Sequence, residues 1–443
     1  MRKYDSYKES GIEWIGEIPS EWKTKKIKHR CTVKARVGWK GLKSDEFLTE
    51  GYSYLVTGSD FKNNSVNWKE CYHIDQERYE EDPYIQLQEE DLLITKDGTI
   101  GKLAIVKKLD KPACLNSGIF VLRSTNKDFS TEFLFWILKS KAFTQFNDYT
   151  SYGSTIQHLY QNVFVEFSYP FPSTKEQAAI THYLDRKTAE IDELIGDKKR
   201  LLELYEEEKT AIINQAVTKG INPDVPMKDS GIEWLGEIPE HWNTSPLKYL
   251  GKFINGFSFK SSDFSSYGVR VLKISNIQHM RIDWGDESFI DEIFYESHEN
   301  FRVLENDLVF ALTRPIISTG IKVALIDTSE PILLNQRNSI YRPTDIDIKW
   351  VYYILLSANF IQEFDSRIDK TGQQPNISSN DIGEIKITIP KEGEQKEIIS
   401  FIDKRCAEIE MKTAKTEKLI GYLTEYRTAL ISEVVTGKIK VIE

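Results

Sequence analysis

Two long stretches of the chain place apolar residues at alternating steps of three and four or their multiples. Between Lys175 and Gly220 these are Ile180, Leu184, Ile191, Leu194, Leu201, Tyr205 and Ile212, with Lys187 on the same stripe. Between Glu392 and Lys438 they are Ile398, Ile402, Ile409, Leu419, Leu423 and Leu430. The spacing predicts two helices, each about 44 residues long and a rod of roughly 65 Å. The sequence ahead of each rod has a shorter rhythm. Tyr52–Val56, Leu92–Thr95 and Ile119–Leu122 are β-prone pieces separated by Gly, Asp and Asn turns, as are Val269–Ile274, Asp307–Phe310 and Ile321–Ile326. One helical pattern interrupts each set: Thr131–Lys139 followed by Ala142, Phe143 and Phe146, and Trp350–Leu356. The pattern predicts two mixed α/β modules, each followed by a long helix.

The chain also repeats itself. Ser10-Gly-Ile-Glu-Trp-Ile-Gly-Glu-Ile-Pro-Ser-Glu-Trp22 returns as Ser230-Gly-Ile-Glu-Trp-Leu-Gly-Glu-Ile-Pro-Glu-His-Trp242 at an offset of 220. The long helices match at an offset of 218, with Glu176-Gln177 and Glu394-Gln395 near their starts and Val217-Thr218 and Val435-Thr436 near their ends. A repeat generally buries its apolar stripe against its twin, so two halves related by an approximate twofold axis are expected. Because a whole module separates the helices in sequence, they are expected to pack antiparallel, as a coiled coil that holds the modules apart. The modules themselves agree in plan but diverge in residues, as two different targets would require.

Composition narrows the possibilities. With 443 residues the chain exceeds one ordinary core, and its net charge of −10 argues against a protein coated in positive potential. Cysteines at 31, 71, 114 and 406 have no paired short spacing, and seven scattered histidines give no zinc signature, so no metal site is expected. No apolar run is long enough to span a bilayer. A soluble protein in the reducing cytoplasm is expected.

Against this acidic background, residues 23 to 43 hold Lys23, Lys25, Lys26, Lys28, Arg30, Lys34, Arg36, Lys40 and Lys43 with no acid among them. Either a solvated face or a phosphate-tracking surface fits. The second module offers sparser bases: Lys248, Lys252, Lys260, Arg270, Lys273, Arg281 and Arg314. Arginine suits bidentate contact with guanine, and lysine suits phosphate. A polar turn follows an early strand in both modules, with Ser59 and Asp60 in one and Asn276 in the other. Such turns usually satisfy their own backbone, while a carboxylate also suits the cytosine amino group and a carboxamide suits adenine. Lys96 and Arg314 follow strands in comparable loops. Gly98 and Gly101 lack the Gly-Lys-Ser/Thr ending of a nucleotide-cradling loop, and Asp82-Pro-Tyr84 lacks the second proline of an adenine-methylating loop. Intrinsic catalysis is not expected.

Taken in order, Gly11–Pro19, Gly231–Pro239, the Glu-Gln openings, Asp185 and Asp403, and Ala216–Thr218 with Val434–Thr436 resemble the specificity subunits of type I restriction-modification systems over essentially the whole chain. The resemblance implies an N-terminal segment at 1–19, a target-recognition domain at 20–170 and a spacer helix at 171–220. It further implies a linker at 221–239 repeating the N-terminal segment, a second target-recognition domain at 240–389 and a second spacer helix at 390–443. Each recognition domain would read one half of an interrupted, asymmetric double-stranded DNA site. The helices would set the gap and dock two methyltransferase subunits. Those partners would bind S-adenosylmethionine, and restriction subunits would bring ATP and Mg. Ser154 and Gln373, in Gly153-Ser154-Thr155 and Gly372-Gln373-Gln374, look like late loops of the two recognition domains. The other readings are a DNA-reading subunit for a different methyltransferase arrangement and a coiled-coil scaffold without a nucleic-acid target.

Overall fold

The computed structural model describes residues 2–36, 42–43, 46–125, 129–150 and 158–442, and the chain divides into two units. Unit 1 comprises residues 1–199 with 417–443, and unit 2 comprises residues 200–416. The long helices, α1 (Thr174–Lys219) and α2 (Glu392–Val435), each contribute to both.

In unit 1 the strands Tyr7–Glu9 and Glu17–Pro19 form a hairpin whose loop holds Gly11 and Gly16 at positive φ. A six-stranded sheet follows in the order 31–34, 119–124, 92–95, 103–105, 65–66, 61–62, beside a three-stranded sheet in the order 113–115, 53–56, 72–74. Alternation is absent in the central strands: all of Leu92–Thr95 is buried, because the three-stranded sheet covers one face and helix Thr131–Leu138 the other. Unit 2 repeats the plan. Its four-stranded sheet runs 251–255, 338–343, 308–311, 323–325, and its five-stranded sheet runs 264–265, 289–290, 269–272, 332–334, 302–303. Helix Ile348–Leu355 takes the place of Thr131–Leu138. A two-stranded ribbon leads out of each module into its long helix, 23–26 with 168–171 and 243–246 with 386–389.

The Glu-Gln openings are joints between module and helix. The buried Gln177 amide donates to the Pro172 carbonyl at 3.0 Å and accepts from the Ser130 N–H at 3.1 Å, where Ser130 caps helix Thr131–Leu138. Gln395 does the same with Pro390 at 2.8 Å and the Asp347 N–H at 3.4 Å. One turn or more further along, Trp136 Nε1 donates to Asp185 at 3.0 Å, and the Tyr353 hydroxyl donates to Asp403. The repeated motif serves the helix ends. Buried Trp242 packs beside Gly220 after α1, and buried Trp22 beside Gly437 after α2; both glycines have positive φ. Trp14 rests on Phe146, and Trp234 on Phe360, at ring-centre distances of 5.6 and 6.0 Å.

Within unit 2 the helices pair antiparallel: Lys412 lies over Tyr205, Lys209 reaches Glu410 at 3.0 Å and Arg405 reaches Glu208 at 3.3 Å. In unit 1, Arg427 joins Asp192 at 2.7 Å. The predicted stripe needs correction. Ile180, Leu184, Ile191, Ile398, Ile402, Ile409 and Leu430 are buried, but Leu201, Ile212, Tyr205 and Leu423 are half-buried, and Leu194 and Leu419 are each 40% exposed. A helix facing a single other helix buries only a narrow seam, so the flanks of the stripe stay in solvent. Where a module covers α1, burial broadens instead to Ile213, Ala216 and Val217.

Candidate nucleic-acid interface

The two modules end their central strands in the same backbone frame. In unit 1 the Lys96 N–H donates to the Gly118 carbonyl at 2.8 Å, and the Lys96 carbonyl accepts from Leu159 at 2.9 Å. In unit 2 the Leu312 N–H donates to Arg337 at 2.8 Å, and the Leu312 carbonyl accepts from Ile377 at 2.9 Å. Three segments far apart in sequence are thereby laced into one edge. Lys96 and Arg314 do stand in comparable loops but two positions apart: the counterpart of Lys96 is Leu312, and the counterpart of Arg314 is Gly98. Gly98 and Arg314 both have positive φ, +66° and +48°.

One frame carries two chemistries. In unit 1, Asp97 binds the His158 ring and also Lys96, at 3.2 Å, and the His158 ring leans on Tyr160 at 4.6 Å. At the same positions in unit 2, the Thr313 hydroxyl donates to Asn376 Oδ1 at 2.5 Å. Arg314 and Arg337 are exposed there, and Gln373 stands on the hairpin closed by the Asp369–Asn376 bridge. That hairpin is tied down by the Arg314 N–H donating to the Pro375 carbonyl at 2.8 Å. Behind Arg314, mostly buried Lys322 donates to the Ile274 carbonyl at 2.5 Å; burial, and then the charge of Arg314, pull its ammonium below the usual lysine range.

The polar turns are structural. Asp60 is buried and takes the Thr57 N–H at 2.7 Å and its hydroxyl at 2.9 Å; burial pushes its carboxyl up despite those bonds. Asn276 is fully buried, accepting from the Lys273 N–H at 2.9 Å and donating to the carbonyls of Asp283 and Asp286 at 3.0 Å each. Both side chains are occupied by their own loops, so the reading of either as a base contact is corrected. Ser59 stays exposed close to the end of strand Leu92–Thr95, since a Cβ on neighbouring Gly58 would lie 2.9 Å from Thr95 Cγ2.

The basic candidates divide by what already holds them. Lys23 and Lys34 are exposed, Lys34 with its ammonium 5.0 Å over Tyr84, and Lys25 is half-buried. Lys26 and Lys28 share Glu166 at 2.8 and 2.5 Å, which holds that carboxyl down at about 2. Arg36 is buried, its Nε donating to the Leu115 carbonyl at 3.0 Å and its Nη2 facing Cys114 Sγ, so it is corrected from surface cation to core residue. Lys40 and Ser154 lie outside the described residues. In unit 2, Lys260 is exposed, Arg270 binds Glu287 and Glu330, Lys273 binds Asp286, and Arg281 stands 3.7 Å from Asp283. Arg337, Lys322, Asp97 and His158 carried no signal in the sequence reading. Aligning the halves through the frame would have exposed them. Among the described residues, no group of three His, Cys, Asp or Glu side chains forms a metal site, and no helix is long and apolar enough to cross a membrane.

A profile of the type I restriction modification DNA specificity domain matches residues 19–204 and 239–420. The type I restriction enzyme MjaVIII specificity subunit of Methanocaldococcus jannaschii is 29% identical over 442 residues, 98% of this chain and 97% of its own length. The EcoAI specificity subunit of Escherichia coli is 32% identical over 227 residues, 49% of this chain and 38% of that protein. Among solved structures, a chain from a study of complex assembly and conformational transition in the type I R-M system overlays with a TM-score of 0.72 at 13% identity, covering 95% of this chain and 99% of that one. The HsdS subunit from Thermoanaerobacter tengcongensis overlays with a TM-score of 0.57 at 15% identity, covering 95% and 98%. At these identities the overlays establish the fold.

Proposed function

Because this chain belongs to the type I restriction modification DNA specificity family, we propose that it directs a methyltransferase and a restriction complex to an interrupted DNA site, each module reading one half. It is a DNA specificity subunit, acting with DNA and with other subunits. The observation that carries the finer reading is the shared frame at the strand ends: the same three-segment edge recurs, dressed with Asp97 and His158 in unit 1 and with Arg314, Arg337 and Gln373 in unit 2. A common scaffold with different donors and acceptors is what two unlike half-sites demand.

In this reading α1 and α2 set the gap between the half-sites and dock two methyltransferase subunits. Exposed apolar residues along them support docking: Leu194, Leu419, Tyr422 and Tyr426 in unit 1, and Leu204 and Met411 in unit 2. The partners would bring S-adenosylmethionine for adenine methylation, and restriction subunits would bring ATP and Mg. The assembly would work in the cytoplasm, where the DNA is. The test is coexpression with the methyltransferase subunit and mapping of methylated adenines across the host genome. An interrupted motif that depends on this chain is the expected result; a continuous motif, or methylation indifferent to the chain, would refute the proposal.

A further inference from the structure

The arginines of unit 2 are almost all engaged. Arg200, Arg270, Arg281, Arg302, Arg342, Arg367 and Arg405 each stand within ion-pair distance of a carboxylate. Among the described residues of that unit, Arg314 and Arg337 have no such partner, and the two are brought to one edge by the Leu312 N–H donating to the Arg337 carbonyl at 2.8 Å. Both are exposed, and both occupy the left-handed region, with φ of +48° and +65°. Non-glycine residues cost on the order of 1 kcal/mol there; of the four in unit 2, Met280 and Asn306 being the others, these two share one edge. Unit 1 has glycines in their places, Gly98 at positive φ and Gly118 outside the left-handed region. Thr313, Gln373, Gln374 and Asn376 line a cleft with Arg337 and no carboxylate, while Asp369 at the base of the hairpin is taken up by the Thr371 N–H and hydroxyl.

We propose that Arg314 and Arg337 are the specificity-determining residues of the second module, each presenting its guanidinium to the O6 and N7 edge of a guanine in the half-site that module reads. The assignment rests on the DNA-reading role proposed above. A guanidinium offers two parallel donors that match the two guanine acceptors, and an arginine already paired with a carboxylate would have to break that pair first. These two have none to break. The left-handed backbone fixes where each side chain departs, and the tie to Pro375 holds the Arg314 loop in place, so little ordering remains to be done on binding.

The test uses this chain assembled with its methyltransferase subunit and compares Arg314→Gly, Arg337→Gly, Arg314→Lys and Arg337→Lys with wild type. Glycine suits positive φ, so removing the whole arginine side chain leaves the backbone a conformation it can keep. Lysine keeps the charge and loses the bidentate fork. Methylation mapping with competition binding on duplexes differing by one base pair should show each glycine variant losing discrimination at one G·C position by about tenfold to a hundredfold. The other half-site should be unchanged, which also reports a folded, assembled complex. The lysine variants should lose the same discrimination. A uniform loss of affinity with every base preference kept, a shallower salt dependence and rescue by lysine would assign the pair to phosphates and overturn the proposal. An unchanged half-site would overturn it as well. A wild-type complex that marks no interrupted motif would overturn the parent reading, and this one with it.

Discussion

Asp91 and Arg123 in unit 1 have the same task as Asp307 and Arg342 in unit 2. Each aspartate accepts two guanidinium bonds, at 2.7 and 2.8 Å in the first pair and 2.7 and 2.9 Å in the second. Each also takes a backbone N–H, of Gln88 or Leu304, so it caps the turn before its strand while holding the next strand over. Both carboxylates are buried, so removing one strands an arginine and an amide. Asp307→Ala should cost about 1–3 kcal/mol, read as a lower thermal or urea midpoint; a midpoint within error of wild type would contradict the capping role. Glu166 behaves differently because it is only half-buried. Lys26 and Lys28 hold its carboxyl at about 2, below its ordinary 4.5, so its stabilisation is present above pH 4.5 and is lost as pH falls through about 2. Glu166→Gln should flatten that acid limb at low ionic strength, and salt should shrink the difference, since exposed pairs are screened. A limb unchanged by the substitution at low salt would show the lysines leave the carboxyl alone. These roles were not legible in the sequence. An aspartate capping its own turn and one reading a base have the same neighbours in the chain, and Asp60 and Asn276 were separated from Ser59 only by burial.

Helices α1 and α2 were legible, their ends falling within three residues of the predicted Lys175–Gly220 and Glu392–Lys438. A long 3.6-residue period needs no tertiary information to be seen. What the period could not say was which apolar residues find full cover, and Leu194 and Leu419 stay 40% exposed. The helix ends show the same limit. Gly220 and Gly437 both stop a helix at positive φ, +76° and +75°. A Cβ on Gly437 would lie 2.4 Å from Pro19 Cδ, whereas one on Gly220 would come no closer than 3.4 Å, to the Trp242 ring. Gly437→Ala should therefore cost more than Gly220→Ala, whose penalty is mainly the backbone term of about 1 kcal/mol. Differential scanning calorimetry of both variants gives the order, and hydrogen exchange at 17–22 should rise in the first. Equal penalties would show that the Pro19 contact yields freely.

For the whole molecule, the expectation is that helix length and base reading are separable. Removing one turn-pair from α1 together with its partner stretch of α2 should change the gap in the methylated motif while both half-sites keep their bases. A fixed gap with an altered half-site would refute the separation. Affinity for DNA should also fall with salt by a slope that counts the phosphates neutralised, and this acidic chain, with few free cations, should contribute a shallow one. The sequence by itself determined the duplication, the two α/β modules, the long helices and, through the repeated Gly-Ile-Glu-Trp and Glu-Gln motifs, the family. All of these are periodic or ordered patterns written along one dimension. Only the tertiary structure decided which basic side chains are available. Arg36 went into the core, Arg270 and Lys273 into ion pairs, and Arg337 to the side of Arg314. The physical reason is that a charge is free or spent according to what stands within about 4 Å of it, and at this edge the neighbours come from three segments as far apart as residues 312, 337 and 377.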